Sequence, residues 1–515
     1  MGVVEARWRF GLAGLVAGFT GLCASLAASW LMHAITNPVV AVASIVRDRT
    51  PGHLAVKLVH LVGHADKPLL ITGTTVILLG LCWLSGVLAQ RRQPAGLALV
   101  FVLGAIGVVA VLTEHDSDVV SVLAAVFGLV VWVVAFRGLV GLLVADAPVD
   151  GVSTSSTSDI GDPGRRRFLI AAGATAVGAV AIAGGARWIG RGRRAVEQAR
   201  AKLRLPLKTG TEPTAVSLGV DGVEPWRTPN RSFYRIDTAF TPPAVSPDSW
   251  SLRVHGMVDK EIRLTYDELT ARRFTSDWIT LCCVSNEVGG DLISNAYWSG
   301  IPIRQILAEA GVQGDADAVK QTSYDGWTCG TPLSALTDEH RNALLAVGMN
   351  GEPLPIAHGF PVRMVVPGLY GYVSATKWLV DLEVTRFDRF EAYWTRAGWS
   401  ERGPVKTQSK IEVPRGNDRV KVGAVPVGGV AWAQHTGIEK VEFQLDGGPW
   451  QTARLGSAPG NDTWVQWAGS VTVAAGKHEL RVRATDKSGY TQTAVRRDVL
   501  PDGATGWHSV TFTAA

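Results

Sequence analysis

Long apolar runs in the first third of this 515-residue chain constrain its fold most strongly, because each is close to the length of about 20 residues that crosses a bilayer. Four of them lie near residues 9–33, 69–89, 95–113 and 119–145, and a fifth, rich in Gly and Ala, lies near 168–186. We therefore predict a four-helix transmembrane block over 1–146. A linker and a fifth membrane helix follow over 147–190.

The basic residues that flank these runs predict which side of the membrane each end occupies. If the N-terminus with Arg7 and Arg9 is cytoplasmic, the arginines of the short 90–94 loop also fall inside, whereas the acidic turn Glu114–Asp118 falls outside. The more basic loop of residues 34–68 then lies outside, contrary to the positive-inside rule, by which basic loops stay in the cytoplasm. With five crossings, everything after about residue 190 is expected on the extracytoplasmic side of the cell membrane.

An arginine triplet precedes the fifth run. Arg165-Arg166-Arg167-Phe168-Leu169 resembles the twin-arginine export pattern, which directs proteins already folded around their cofactors, although arginines there also serve as a simple positive-inside anchor. The preceding segment 147–164 has the Ser-, Thr-, Asp- and Gly-rich composition of a linker. The basic stretch Arg191–Lys208 is predicted to be an interfacial helix or a spacer near the membrane surface.

The remainder of the chain divides into two predicted domains. Residues 209–405 mix short β-type runs with helix-like segments such as Ile303–Ala310, which predicts an α+β domain. Residues 406–515 show strands separated by regular turn signals, typical of a β-sandwich. The modest net charge of +5, without a basic stretch interleaved with aromatics, argues against nucleic-acid binding.

A cysteine pair provides the first candidate chemistry. Cys282 and Cys283 lie in Thr280–Asn286, after an apolar β-like stretch and before Gly289-Gly290. Since successive strand side chains point to opposite faces, one thiol can face a pocket while the other packs. A thiolate is a soft ligand for a redox metal, and the alternative is that both cysteines are small buried residues.

Two segments resemble the sulfite oxidase family. Thr280–Asn286 with Trp298–Pro302 is similar to its molybdenum-binding segment, and the ligand cysteine then falls on Cys283. His358–Arg363 with Val366-Pro367-Gly368, Gly371 and Lys377-Trp378-Leu379 is similar to its pterin-binding stretch. A pterin cofactor carries a phosphate and polar edges, which suit cationic donors such as Arg363, Lys377 and a protonatable His358.

The resemblance implies a molybdenum–molybdopterin cofactor (Mo-MPT), with Cys283 as the catalytic metal ligand. It extends over residues 215–515, and in the family the C-terminal domain is an immunoglobulin-like dimerisation module. Asp325, in an Asp-Gly pair, has a turn as its alternative role. The residues implied to bind the cofactor are Phe233, Tyr234, Arg235, Cys283, Asp325, His358, Arg363, Ala375, Thr376 and Lys377.

Two positions depart from the family pattern. Val288 stands where sulfite oxidases carry a sulfite-binding arginine, and Trp399 stands near the position of their active-site tyrosine. Losing a cation and a phenol removes groups that balance a dianionic substrate. A neutral or S-oxide substrate is expected instead. The aromatic residues that could wall a pocket are Tyr297, Trp298, Tyr370, Tyr372 and Trp399.

The sequence therefore predicts a membrane-anchored, molybdopterin-dependent oxidoreductase that transfers an oxygen atom on a small substrate, which could be sulfur-containing. Its expected partners are membrane lipid, an electron partner such as quinone or a cytochrome, and a second copy bound through the C-terminal domain. One alternative is a non-catalytic membrane-bound binding or assembly protein. Another is an electron-transfer subunit whose membrane block binds haem through residues among His33, His53, His60 and His64.

Overall fold

A computed structural model describes residues 2–32, 36–50, 66–114, 119–145, 163–189 and 192–515. The chain forms two compact units, Met1–Ala195 and Val196–Ala515. The four histidines considered for haem, and the predicted linker as far as residue 162, lie outside the described residues.

The first unit is entirely helical where it is described. Its helices are α1 (Gly2–Leu31), α2 (Pro38–Arg49), α3 (Asp66–Arg91), α4 (Gln93–Thr113), α5 (Val119–Ala145) and α6 (Pro163–Ile189). Five of these contain apolar stretches long enough to cross a membrane: Ala6–Leu31, Lys67–Arg91, Gln93–Thr113, Val119–Ala145 and Arg166–Gly185. These stretches coincide with the five predicted runs.

Helix α1 packs against α3, α5 and α6. Small residues allow its close approach to α3, since a Cβ on either Gly14 or Gly86 would overlap the backbone of the other helix. Such small-residue contacts are typical of helices that pack within membranes. Phe168, directly after the arginine triplet, is fully buried in the same apolar cluster as Trp132.

The second unit begins before the predicted boundary at residue 209. Helix α7 (Gly192–Lys202) runs into it, and Val196 is buried among core residues of this unit. Arg200 donates from Nε to the carbonyl of Leu354 (2.7 Å) and from Nη2 to that of Pro353 (2.7 Å). The basic stretch predicted as an interfacial helix or spacer is therefore partly built into the second unit.

One mixed sheet and one antiparallel sheet form the predicted α+β domain. Their strands are β1 (Ser251–Gly256), β2 (Ile262–Thr265), β3 (Thr275–Cys282), β4 (Ile293–Pro302), β5 (Ala318–Ser323), β6 (Thr328–Pro332), β7 (Leu344–Met349), β8 (Glu352–Pro353), β9 (Arg363–Val365) and β10 (Leu379–Thr385). One sheet has the order β2-β1-β10-β5-β6, with β1 and β10 parallel. The other has the order β3-β4-β7-β8, and β9 pairs with β7.

Short helices connect these strands. They are α8 (Tyr266–Thr270), α9 (Ile303–Ala310), α10 (Leu333–Thr337) and α11 (Tyr393–Arg396). Helix α9 has the bounds predicted from its apolar periodicity and buries Ile303, Ile306, Leu307 and Ala310. It ends at Gly311, which adopts the left-handed conformation (φ 69°) that glycine tolerates at a helix C-terminus.

The C-terminal region contains two further sheets. Their strands are β11 (Gln408–Val413), β12 (Arg419–Val420), β13 (Gly423–Trp432), β14 (Ile438–Leu445), β15 (Gln451–Thr452), β16 (Arg454–Leu455), β17 (Val465–Val473), β18 (Gly476–Asp486) and β19 (His508–Ala514). The sheets have the orders β11-β13-β17-β16 and β12-β19-β18-β14-β15. Residues of both, including Trp467 and Phe512, share one buried apolar cluster, as a sandwich requires.

The sandwich and the α+β domain are joined by hydrogen bonds within the second unit. The Thr280 amide donates to the carbonyl of Asp462 (2.9 Å), and the Trp464 amide donates to the Thr280 hydroxyl (2.8 Å). Because Thr280 lies on β3 just before the cysteine pair, the sandwich supports the strand that delivers these cysteines.

Candidate functional site

A cavity of about 110 Å³ lies in the second unit, and one of the two paired cysteines lines it. Its lining residues are Phe233, Tyr234, Ile236, Asp237, Thr238, Cys283, Val284, Ser285, Ser323, Asp325, Trp327, Arg363, Gly371, Tyr372, Ala375, Lys377, Trp378, Trp394 and Trp399.

The end of strand β3 determines which cysteine borders the cavity. The strand pairing ends with Cys282 opposite Ile293, and the chain then turns as the Asn286 amide donates to the Cys283 carbonyl (3.1 Å). Cys283 lines the cavity, whereas Cys282 is buried with its Sγ 3.5 Å from the Cys283 carbonyl. Burial raises the pKa of both thiols, so a thiolate at Cys283 requires a metal or another cation to stabilise it.

Arg363 is a buried cation at the start of β9. Its side chain lies over the Trp298 ring, 5.0 Å from the ring centroid. In the described stretch 192–515, its guanidinium donates only to backbone carbonyls, those of Met364 (3.4 Å), His358 (3.2 Å) and Ala375 (3.3 Å). Burial lowers the pKa of Arg363 to about 10. The cavity wall thus holds a cation that the protein does not pair with a carboxylate.

Lys377 is the second cation of the lining. Its Nζ lies 3.0 Å from a carboxylate oxygen of Asp237, and both side chains are almost completely buried. Burial is the main reason that the pKa of Lys377 falls to about 8. The next residue, Trp378, has a positive φ of 49°, a strained conformation for a bulky side chain, and its indole donates to the Ile356 carbonyl (2.9 Å).

Asp325 and Arg235, the last residue of the predicted Phe233–Arg235 segment, both lie near the ion pair of Asp237 and Lys377. Asp325 lines the cavity, and burial raises the pKa of its carboxyl group. The rings of Phe233 and Tyr234 stack, with centroids 5.4 Å apart, and both line the cavity. Arg235 is exposed and does not line it, but its Nε lies 3.3 Å from Asp237, the carboxylate that also pairs with Lys377.

His358 and Thr376 lie behind the lining. The Nε2 of His358 lies 3.0 Å from the Asn230 carbonyl, so it carries the proton and Nδ1 is left as an acceptor. Burial, Arg363 and Lys377 lower the pKa of His358 to about 3, so its imidazole is neutral at pH 7. Thr376 is fully buried and its hydroxyl contacts the thiol of Cys329 (3.2 Å).

The aromatic candidates separate into two groups. Tyr372 and Trp399 line the cavity, with ring centroids 5.9 Å apart. Tyr297, Trp298 and Tyr370 are not among the lining residues of the fully described 192–515 stretch. Trp298 is instead a core residue whose indole donates to the Ile279 carbonyl (3.0 Å).

Several lining residues were not predicted from the sequence. Asp237 follows Phe233–Arg235 by two positions, so its place in that segment was an available signal. The sequence around Trp394 and Trp327 contained no such signal, apart from the aromatic character of the two residues. Val288 is half-buried, and within the described second unit it is not part of the cavity lining.

The chain matches the family model for the oxidoreductase molybdopterin binding domain over residues 239–394. It is 29% identical to human mitochondrial sulfite oxidase over 306 residues, which cover 50% of this chain and 55% of that one. It is 30% identical to chicken sulfite oxidase over 316 residues, covering 52% and 68% of the two chains. The chain thus spans about half the length of the human relative.

The fold also resembles a solved structure, the sulfane dehydrogenase SoxCD from Paracoccus pantotrophus, with a TM-score of 0.50. That match has 22% identity and covers 59% of this chain and 88% of the other. Together the fold and the domain match define a molybdopterin-binding oxidoreductase fold. The chain belongs to the sulfite oxidase family, and both the family and the fold class predicted from its sequence are confirmed. The cofactor implied by this membership is molybdenum–molybdopterin.

Residues of the cavity lining and directly behind it fit such a cofactor. Arg363 offers buried guanidinium donors without a carboxylate partner in the described second unit. His358 Nδ1 is buried and has no hydrogen-bond partner there either. A ligand with an anionic group and N–H edges supplies what these two side chains lack.

Proposed function

We propose that this chain is a membrane-anchored, molybdopterin-dependent oxidoreductase that reduces a small organic S-oxide at an extracytoplasmic site. The observation that carries the proposal is one cavity lined by the Cys283 thiol together with two buried cations, Arg363 and Lys377. A soft anionic ligand beside cationic donors is the chemistry that a pterin-bound metal requires.

Each predicted site residue has a proposed role. Cys283 holds the metal as a thiolate, and Arg363 and Lys377 bind anionic groups of the cofactor. His358 accepts a hydrogen bond from it, and Asp325 binds a polar edge. Phe233, Tyr234 and Ala375 provide contact surface, whereas Arg235 and Thr376 act indirectly, through Asp237 and through packing. When bound, the cofactor supplies two-electron oxygen-atom transfer at molybdenum.

The substrate proposal rests on the charge of the lining. Arg363 and Lys377 are committed to the cofactor, and the position at which sulfite oxidases carry an additional arginine is Val288, outside the cavity. An uncharged S-oxide needs no further cation. The net reaction is R₂S=O + 2 e⁻ + 2 H⁺ → R₂S + H₂O, with a quinol or a reduced cytochrome as the electron donor.

The membrane location follows from the five apolar helices. We assign residues 1–146 and 147–190 to the membrane anchor and its linker, 209–405 to catalysis and 406–515 to dimerisation. The twin-arginine-like triplet at the start of α6 supports export of the folded second unit.

Two measurements test the proposal. Full-length protein from a host that makes molybdopterin is expected to contain close to one molybdenum per chain, and to oxidise a reduced viologen dye when a dialkyl sulfoxide is added. Protein that contains molybdenum but turns over no S-oxide contradicts the substrate assignment. Protein without molybdenum contradicts the enzyme assignment altogether.

Sidedness is tested separately in intact cells. A membrane-impermeant amine reagent is expected to label the exposed lysines of the second unit, such as Lys421, without disruption of the cells. Labelling that appears only after lysis contradicts the extracytoplasmic assignment while leaving the catalytic proposal standing.

A further inference from the structure

A short segment that leads into the second unit carries as large a positive charge as the whole chain. Residues 192–210 contain one acidic residue, Glu197, and six basic ones: Arg193, Arg194, Arg200, Lys202, Arg204 and Lys208. Their excess of five positive charges equals the formal net charge of +5 for all 515 residues. The charges of the remaining residues therefore cancel, and the cationic excess is concentrated in this segment.

Apolar side chains fix this segment to the second unit. Beyond α7 the side chains of residues 203–208 alternate between half-buried and exposed, and the half-buried ones include Leu203, Leu205 and Leu207. Leu203 packs against the core of the second unit, and a Cβ on Gly348 would lie only 2.5 Å from the Leu207 side chain. Because the leucines face the unit, the basic residues between them face solvent.

Three exposed cations of the second unit form what we name the basic strip: Lys202, Arg204 and Lys208. In the described stretch 192–515, neither lysine side chain makes an ion pair or a hydrogen bond. The guanidinium of Arg204 donates only to the backbone carbonyls of Ala201 and Leu203, at 3.2 Å each. The fold thus holds three like charges in one short segment without pairing any of them with a carboxylate, which favours an anionic surface as their partner.

The place of the strip in the chain indicates which anionic surface it meets. The apolar stretch of α6 ends at Gly185, the helix itself ends at Ile189, and α7 begins at Gly192. The strip is therefore the first part of the second unit that follows the membrane helix in sequence. Anionic lipid headgroups attract lysine and arginine residues in such juxtamembrane segments. Single-stranded nucleic acid is a poorer match, because residues 192–210 contain no aromatic side chain on which bases could stack.

We propose that the basic strip binds the phosphate headgroups of anionic lipids and thereby holds the catalytic unit in one orientation at the membrane surface. The inference rests on the proposed membrane anchoring and is independent of the proposed reaction. Because the segment is fixed to the second unit, lipid binding orients that unit, which a flexible tether would not do. The attraction acts between exposed charges, so it requires anionic lipid and weakens as ionic strength rises.

Lysine reactivity in a defined bilayer tests the proposal. The full-length protein is reconstituted into phosphatidylcholine nanodiscs, with or without phosphatidylglycerol, and acetylated by a water-soluble reagent while mass spectrometry follows the rate at each lysine. Lys202 and Lys208 should react about 5-fold more slowly in the anionic nanodiscs, the factor for one lysine near an anionic surface. Lys421, which is exposed in the sandwich, should react equally in both. Sodium chloride at about 0.5 M should remove the difference.

Arg204→Gln weakens the strip but leaves both reporter lysines in place. It should reduce the protection of Lys202 and Lys208 from about 5-fold to about 2-fold. Arg419→Gln is the matched control, because it removes an exposed arginine of the sandwich, and it should keep the 5-fold protection. Equal acetylation of the two lysines in neutral and anionic nanodiscs, or full protection in Arg204→Gln, overturns the proposal.

Two further arms separate lipid from other anionic partners. Inorganic phosphate added to neutral nanodiscs should give no protection, and protection equal to that of phosphatidylglycerol would overturn the lipid assignment in favour of a free-phosphate site. Protection that occurs in native membranes but not in anionic nanodiscs would also overturn it, in favour of an acidic protein partner.

The proposed function fails independently of this inference. Protein that turns over S-oxides but shows no lipid-dependent protection supports the reaction and overturns the role of the basic strip. Protein whose strip is protected by anionic lipid but which shows no dye-coupled turnover supports the strip and contradicts the reaction.

Discussion

Replacing the two neighbouring cysteines one at a time separates a metal ligand from a packing residue. Cys282 and Cys283 are both buried, at 2% and 8% exposure, and serine differs from cysteine by one atom at each position. Burying a hydroxyl costs roughly 1–3 kcal/mol, at the lower end where it finds a partner. The Cys283 carbonyl lies 3.5 Å from one sulfur, and Ser285 is a hydrogen-bond neighbour of the other.

Cys282→Ser and Cys283→Ser should therefore lower the free energy of unfolding similarly, by about 1 kcal/mol each. Their turnover should differ sharply. Cys283→Ser removes a ligand atom and should cost more than the roughly 100-fold that even outer-shell partners of a metal are worth. Cys282→Ser should stay within a few-fold of wild type.

The assays are calorimetric unfolding, dye-coupled turnover and molybdenum X-ray absorption, in which Cys283→Ser should lose one sulfur from the first coordination shell. Equal losses of turnover in the two variants, or an unchanged sulfur count in Cys283→Ser, would refute the reasoning. A large difference in their unfolding free energies would also undermine it, because the comparison depends on matched folds.

Three further predictions concern the surroundings of the metal ligand. Because burial lowers the pKa of Lys377 to about 8, its ammonium is lost above that pH, so cofactor uptake by cofactor-free protein should weaken between pH 7 and 9. In Lys377→Arg, which stays charged, this weakening should disappear. Gly289→Ala places a methyl group on the His508 ring at a positive φ and should lower molybdenum content, whereas Gly398→Ala, with open space around it, should cost only about 1 kcal/mol of strain. Val288→Arg should leave dye-coupled S-oxide reduction within two-fold of wild type, about 0.4 kcal/mol, because position 288 lies outside the lining of the described cavity.

The fold class was accessible from sequence because its signals are local. Two patterns can be recognised without knowledge of tertiary contacts: apolar runs long enough to span a bilayer, and the 3.6-residue periodicity of Ile303–Ala310. The helix Gly192–Lys202 was harder to interpret. Its composition is basic, and its contacts with the second unit come from the buried Val196 and from two hydrogen bonds that Arg200 donates to backbone carbonyls.

The site was predictable only as far as the motifs extend. They indicated Cys283, Arg363 and Lys377, which border one cavity, but they did not determine the protonation state of His358. Protonation depends on burial and on neighbouring cations, both of which are set by tertiary structure. Trp394 was missed for a related reason, because no feature of the neighbouring sequence distinguishes a tryptophan that lines a cavity from one in the core.

The two departures from the family pattern, at Val288 and Trp399, differ in whether the residue borders the cavity. The absence of an arginine at position 288 does not by itself indicate which substrate binds, because Val288 does not border the cavity in the described second unit. Trp399 is different, because it lines the cavity that contains Cys283, with its ring centroid 6.5 Å from that of Trp394. Of the two departures, the tryptophan at position 399 is therefore the one that changes the surface facing a substrate, whereas the side chain at position 288 lies away from the cavity lining of the described second unit.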